Sequence, residues 1–292
     1  MDQNWHRHLW SQKQTVNSFY RHNKRITFKM STIAFLGAGN IANAIMGGLM
    51  SDGHTLFAFD PIEQCRERAR NQGVTIASSN TDAIAKADIV MLCVKPNVIL
   101  DLLDEISTLS HGKLFISVAA GITTTSMLNR LPEATALVRC MPNTPALVKT
   151  GMTALFASPS VTNEQRGSAT SVLTSVGESL WVDTEAELDV VTAVSGSGPA
   201  YFFLLMESMI NASVAEGLSR EVSTQLVLQT ALGAAVMAKQ SEFDAGTLRK
   251  QVTSPGGTTQ AAIEHFQSVK FEEAVKGAVN AAKTRSVDLS KN

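Results

Sequence analysis

Residues 31–48 read STIAFLGAGNIANAIMGG. Ile33-Ala34-Phe35-Leu36 is a short apolar run suited to a strand buried on both faces of a parallel sheet. It enters Gly37-Ala38-Gly39-Asn40-Ile41-Ala42, the G-x-G-x-x-A form of the dinucleotide fingerprint, and then the helix-forming run 43–50. The positions have separate tasks. Gly37 permits the tight turn, and Gly39 lets the backbone approach a pyrophosphate. The unpaired N–H groups at the helix start attract the anion, Ala42 keeps that helix close to the strand, and Asn40 and Ile41 are candidate cofactor contacts beside them. The fingerprint alone is generic. Its position between a strand and a helix makes it informative.

Outward from this unit, 55–59 reads as a second strand, with Asp60 just past its end. Asp60 lies 23 residues after Gly37, near the ~20-residue spacing of an acid that binds the adenosine ribose 2′-OH. Apolar runs at 76–77, 88–94, 114–118 and 136–141 alternate with helical patterns at 61–73, 80–86, 97–109 and 126–131. In a doubly wound sheet the ligand lies beyond the carboxyl ends of the strands. Val94, Lys95, Pro96, Ala120, Gly121 and Asn143 fall at such ends and are candidate cofactor contacts. Strands are expected over 151–157 and 178–183, flanking a helix over 163–176. From Glu185 onward every apolar pattern is helical: 185–195, 200–217, 220–241, 244–252, 258–267 and 271–289. The fold class expected is α/β, a doubly wound Rossmann sheet over 30–183 followed by an all-α domain for substrate binding and dimerisation over 184–292.

The 292-residue chain is 44% hydrophobic and 17% charged, the composition of a globular protein with a large core. A net charge of −1 argues against a nucleic-acid surface. Cys65, Cys93 and Cys140 are isolated, which points to a reducing cytoplasm, with no disulfide framework and no metal site. The run 201–210 is apolar but short and contains Glu207, so no membrane span is expected. Residues 1–29 are polar, without the apolar core of a secretory signal, and read as a disordered extension ahead of Met30. His6 and His8 within them lack further ligands at zinc spacing. The patterns over 200–215 and 226–238 are apolar nearly all round, more than one small helical domain buries. A homodimer, or a higher homo-oligomer built from dimers, is expected.

Two stretches of the second half are too rich in glycine, serine and proline for a helix interior. VSGSGPAY, 194–201, reads as a turn linking two helices, with Pro199 at a first helical position. In VTSPGGTT, 252–259, the glycines allow positive φ and Thr258 or Thr259 can cap the next helix. A helix start beside a hydroxyl-rich loop is a ready carboxylate or phosphate site. Ser197, Gly198, Gly256, Gly257, Thr258 and Thr259 are therefore candidate substrate contacts.

These stretches, with GAGNIANAIMGGL at 37–49, VKP at 94–96, SVAAGI at 117–122 and MPNTPALV at 141–148, resemble the motifs of the pyrroline-5-carboxylate reductases. The resemblance runs from Met30 to near the C-terminus. It implies reduction of the cyclic imine 1-pyrroline-5-carboxylate to proline, the last step of proline biosynthesis, with NADPH or NADH. It also implies that the N–H groups of Gly257, Thr258 and Thr259 hold the substrate carboxylate and that Thr259 hydrogen-bonds the ring nitrogen. Lys95 is the alternative proton donor. His54, His111 and His265 lie outside every motif, and an imine that arrives protonated needs no histidine base. Many family members favour NADPH and carry small hydroxyl, Asn or Arg residues where this chain has Asp60, which would repel a 2′-phosphate. Arg66 and Arg68 follow, so the sequence leaves NADPH and NADH both open. A β-hydroxyacid dehydrogenase would need a lysine on a helix of the second domain, for which Lys239, Lys250 and Lys270 are poor candidates. A non-catalytic dinucleotide-binding regulator would have no use for the PGGTT loop.

Overall fold

The structure, a computed structural model, describes residues 30–290. The reading of 1–29 as an extension, His6 and His8 included, lies outside the described residues. The first part is built from β1 (Thr32–Leu36), α1 (Asn40–Leu49), β2 (Thr55–Phe59), α2 (Glu63–Asn71), β3 (Thr75–Ile76), α3 (Asn80–Ala85), β4 (Ile89–Leu92), α4 (Ile99–Ile106), β5 (Leu114–Ser117), α5 (Thr124–Leu128) and β6 (Ala136–Met141). It continues with β7 (Gly151–Ala157), α6 (Asn163–Thr174) and β8 (Gly177–Trp181). The eight strands form one sheet in the order β3-β2-β1-β4-β5-β6-β7-β8.

All neighbours pair in parallel except β6 and β7. The exception follows from chain length. Only 142–150, with a 3-10 turn and no crossover helix, joins those two strands, and a parallel return needs a dozen residues or more. The sheet reverses the order of its windings between β1 and β4, the place where such folds bind ligands. Alternation along β1 sends Ile33 and Phe35 into one core, with Ile45, Met46 and Leu49 of α1. Ala34 and Leu36 enter the other, with Ile84, Ile99 and Leu103. The continuous apolar run expected of a doubly covered strand has this cause.

Several boundaries differ from expectation, and two of the helices show how. The helix read over 97–109 is α4 flanked by 3-10 turns at Pro96–Val98 and Ser107–Leu109. The helix read over 126–131 starts two residues earlier, because the Thr123 hydroxyl accepts the Ser126 N–H at 3.1 Å and caps it there.

After Trp181 the described chain is helical: α7 (Glu187–Val191), a π-turn (Thr192–Gly196), α8 (Gly198–Ala215), α9 (Arg220–Gln240), α10 (Ala245–Gln251), α11 (Thr258–Ser268) and α12 (Phe271–Leu289). The stretch 194–201 is not a loop between helices. Ser197 keeps right-handed angles (φ −84°, ψ −23°), so α7, the π-turn and α8 run on as one helix, Glu187–Ala215. A π-turn absorbs the extra residue without unwinding the backbone. The run 201–210 thus belongs to a 29-residue helix that is long and apolar enough to cross a bilayer by length and composition alone, so the shortness of the run is no argument against a span. α8 and α9 pack as a hairpin, and α12 returns along α7 and the π-turn. The hairpin leaves large apolar side chains in the open: Phe202 is 64% exposed, Leu204 64% and Leu232 58%.

Candidate active site

At the fingerprint the backbone does what the glycines permit. Gly37 sits at φ +93°, and a Cβ there would lie 2.7 Å from the Cys93 carbonyl carbon and oxygen and 2.9 Å from the Val94 nitrogen. Its N–H donates to the Phe59 carbonyl at 2.8 Å, so the turn is wedged between the ends of β2 and β4. Gly39 is the reverse case. Nothing lies within 4 Å of where its Cβ would be, and no side chain caps the α1 start. This open space before unclaimed N–H groups fits a dinucleotide pyrophosphate.

The loop is clamped from both sides. Asp60, 8% exposed, accepts the Ala38 N–H through Oδ2 and the Ile62 N–H through Oδ1, both at 2.8 Å. The Asn43 amide donates to the carbonyls of Ala38 and Gly39, the latter at 2.9 Å. Asp60 therefore holds the fingerprint loop, a task its sequence spacing does not reveal. Arg66 donates to the Asp60 carbonyl at 2.6 Å and pairs with Glu63. Arg68 reaches the Asn40 Oδ1 at 3.0 Å, which brings a guanidinium to the first residue of α1. Below the turn, burial pushes the Cys93 thiol up to about 12 and raises Cys140 as well, which favours the neutral thiol at both.

At the other strand ends, Lys95 is exposed and precedes the 3-10 turn that Pro96 opens, Val94 is half-buried, and Ala120 is exposed. Gly121 has φ +75°, and a Cβ would lie 3.2 Å from the Leu289 carbonyl oxygen, so this glycine lets the end of α12 approach the sheet. Asn143 is committed at both ends of its amide. Its Oδ1 accepts the Met152 N–H at 2.9 Å, and its Nδ2 donates to the Ser195 carbonyl at 3.1 Å. The fingerprint, Val94 and Asn143 are thus gathered at one edge of the sheet, with the segment of Ser197 and Gly198 tied to it.

A second tie between the two halves escaped the sequence reading. Glu185 receives Arg139 Nη1 at 2.7 Å, the Thr124 N–H at 2.7 Å and the Thr124 hydroxyl at 2.6 Å. Arg139 is 7% exposed, and the signal was present: an arginine inside the apolar strand ALVRCM requires a carboxylate. His54 accepts the Ser31 N–H at 3.3 Å, a structural contact away from these motifs.

The PGGTT loop stands apart. Gly256 takes φ +71°, and Gly257, not a threonine, is the N-cap of α11. Thr258 and Thr259 are already inside the helix, so neither hydroxyl reaches back as a cap. The Gln260 side chain accepts the Gly256 N–H at 2.7 Å instead. The Gly257 N–H donates to the Ser254 carbonyl at 3.0 Å, which removes it from the N–H groups expected to hold a carboxylate. Those of Thr258, Thr259 and Gln260 remain, as helix geometry requires. Gly256, Thr258 and Thr259 are exposed, and α11 packs on α12, with Phe266 and Phe271 ring centroids 5.1 Å apart.

Comparison with known proteins bears on both halves. A family model described as pyrroline-5-carboxylate reductase dimerisation matches residues 185–289, and one described as NADP oxidoreductase, coenzyme F420-dependent, matches 32–121. The chain is 47% identical over 268 residues to a pyrroline-5-carboxylate reductase of Pseudomonas aeruginosa, covering 89% of this chain and 98% of that one. A pyrroline-5-carboxylate reductase structure from Coxiella burnetii superposes with a TM-score of 0.86 at 37% identity, over 90% of this chain and all of that one. A Plasmodium falciparum pyrroline carboxylate reductase with NADP bound gives 0.81 at 30% identity, over 90% and 100%.

Proposed function

The chain belongs to the pyrroline-5-carboxylate reductase family, and from that premise we propose how its residues reduce a five-membered cyclic imino acid. The nicotinamide dinucleotide supplies the hydride when bound. The fingerprint loop, clamped by Asp60 and Asn43, holds its pyrophosphate at the start of α1, with Val94–Pro96, Ala120 and Gly121 along the same edge. The N–H groups of Thr258 and Thr259 hold the substrate carboxylate. The Thr259 hydroxyl hydrogen-bonds the ring nitrogen, accepting its N–H while the imine is protonated and donating to the lone pair that hydride transfer creates, and Ser197 and Gly198 border the substrate. Lys95 is the alternative acid, for an imine that arrives neutral.

The observation that carries this reading is the free state of α11's first turn. Among the described residues neither threonine hydroxyl has a hydrogen-bond partner, and no side chain caps the helix. Polar groups so placed are available to a ligand. Their exposure in a single chain, beside the uncovered apolar α8–α9 hairpin, supports a homodimer in which association encloses the loop. The dimerisation match over 185–289 accounts for the apolar 29-residue helix without a membrane. Free thiols at Cys65, Cys93 and Cys140 support a cytoplasmic setting, and the net charge of −1 supports a protein without nucleic-acid partners.

On cofactor choice, both Asp60 oxygens are engaged by backbone N–H groups while Arg68 reaches the α1 start. That arrangement favours NADPH, with NADH used less well.

Thr259→Val tests the chemistry, since it preserves shape and removes only the hydroxyl. A hydrogen bond that strengthens as the imine becomes an amine acts on turnover. Loss of it should lower kcat by roughly 5- to 150-fold, the equivalent of ~1–3 kcal/mol. The melting temperature should hardly move, because the hydroxyl caps nothing. Unchanged kcat at saturating substrate would remove Thr259 from the mechanism and leave Lys95 as the next residue to test.

A further inference from the structure

Asn143 occupies the crevice edge just after β6, yet its amide points to protein at both ends. The bond from the Met152 N–H fixes which end is oxygen, since a flipped amide would set N–H against N–H. The bond to the Ser195 carbonyl has its cause elsewhere in the chain. In an unbroken α-helix carbonyl 195 accepts the N–H of residue 199, and Pro199 has none. Asn143 supplies the missing donor from the sheet. Other contacts stiffen the same turn. The Ser197 N–H closes the π ring on the Thr192 carbonyl at 2.8 Å, and the Tyr201 hydroxyl donates to the Ala193 carbonyl at 3.0 Å. A Cβ on Gly196 would lie 2.7 Å from Met141 Cε, so the turn is seated against the last residue of β6.

We propose that Asn143 is a positioning residue: its Nδ2–H sets the height of the Thr192–Gly196 π-turn, and of the Ser197-Gly198 pair that follows, over the carboxyl end of β6. This rests on reading that pair as a substrate contact. One side-chain hydrogen bond then registers the substrate segment against the cofactor edge. Breaking it shifts the turn and leaves the fingerprint loop alone, because Asp60 and Asn43 hold that loop independently.

Asn143→Asp keeps the acceptor for Met152 and turns an oxygen toward the Ser195 carbonyl. The Kd for NADPH, read by fluorescence titration, should stay within about twofold, while kcat/KM for pyrroline-5-carboxylate falls about tenfold or more, the worth of one lost hydrogen bond. Amide hydrogen exchange should quicken over 193–198 and not over 36–43. Asn143→Ala should give the same split if the aspartate variant folds poorly. Equal changes in NADPH Kd and substrate kcat/KM would make Asn143 a cofactor ligand and overturn the proposal. A lowered melting temperature with kcat/KM and exchange at 193–198 unchanged would overturn it too. If the unmodified protein fails to reduce pyrroline-5-carboxylate, the functional reading falls, and the exchange contrast between the two segments still decides the positioning role.

Discussion

Two helices of this chain begin at glycine-rich turns, α1 after GAG and α11 after SPGG, and they differ in what surrounds them. The α1 turn is packed by its own domain: the Cys93 and Val94 backbone presses on Gly37, and Asp60 and Asn43 secure the loop. The α11 turn has the same local chemistry, free N–H groups behind a positive-φ glycine, but no atom lies within 4 Å of a Cβ placed on Gly256. One turn is held from both sides when the chain folds. The other is an arrangement of donors still open to solvent. Local sequence makes a helix start, and only the surrounding surface determines how strongly its N–H groups act, because water screens an exposed charge far more than a buried one.

Three substitutions probe that contrast, from the largest expected effect to the smallest. Gly37→Ala meets backbone atoms that have no room to retreat and adds the strain of positive φ. It should cost about 3–5 kcal/mol or prevent folding, as measured by urea denaturation. A loss near 1 kcal/mol would mean that the α1 turn is as loose as the other. Leu228→Asp, on the α9 face that is 49% exposed at this residue, places a carboxylate where dimerisation should bury it. Obligate interfaces commonly exceed ~2,000 Å², and an unpaired charge inside one should weaken association by ~3 kcal/mol, roughly 150-fold in Kd, or bring the protein out of solution. Light scattering reads the result, and a folded, active monomer of the unmodified protein would break the comparison at its root. Gly256→Ala keeps its space but must hold φ +71°, so about 1 kcal/mol is expected. A cost matching Gly37→Ala would show that a partner subunit packs this turn as tightly as the sheet packs the first.

Much of the sheet was legible because parallel strands covered on both faces leave uninterrupted apolar runs, as in 33–36, 89–92 and 114–116. The π-turn was not. Gly196, Gly198 and Pro199 read as a helix break, yet the backbone stays right-handed, and Asn143, 52 residues earlier in the chain than Ser195, takes up the carbonyl that Pro199 leaves without a donor. The caps of α11 were misread for a related reason. Thr258 and Thr259 have the right side chains, but Gly257 already occupies the cap position and Gln260 reaches back to the Gly256 N–H. The Arg139–Glu185 pair was readable only as a demand, a buried guanidinium lacking a named carboxylate.

By itself the sequence determined the α/β class, the fingerprint turn, the place where strands give way to helices and the family motifs. All of these are encoded within a few residues by periodicity and by the conformational range of glycine and proline. Tertiary structure alone decided that Asp60 clamps a loop, that Asn143 bridges the sheet to the helical half, that Gly257 spends its N–H on Ser254, and that the α8–α9 hairpin leaves its apolar side chains uncovered. Each depends on a donor, an acceptor or a surface brought close by folding. Hydrogen bonds and desolvation act only over ångströms, so a separation along the chain carries no record of them.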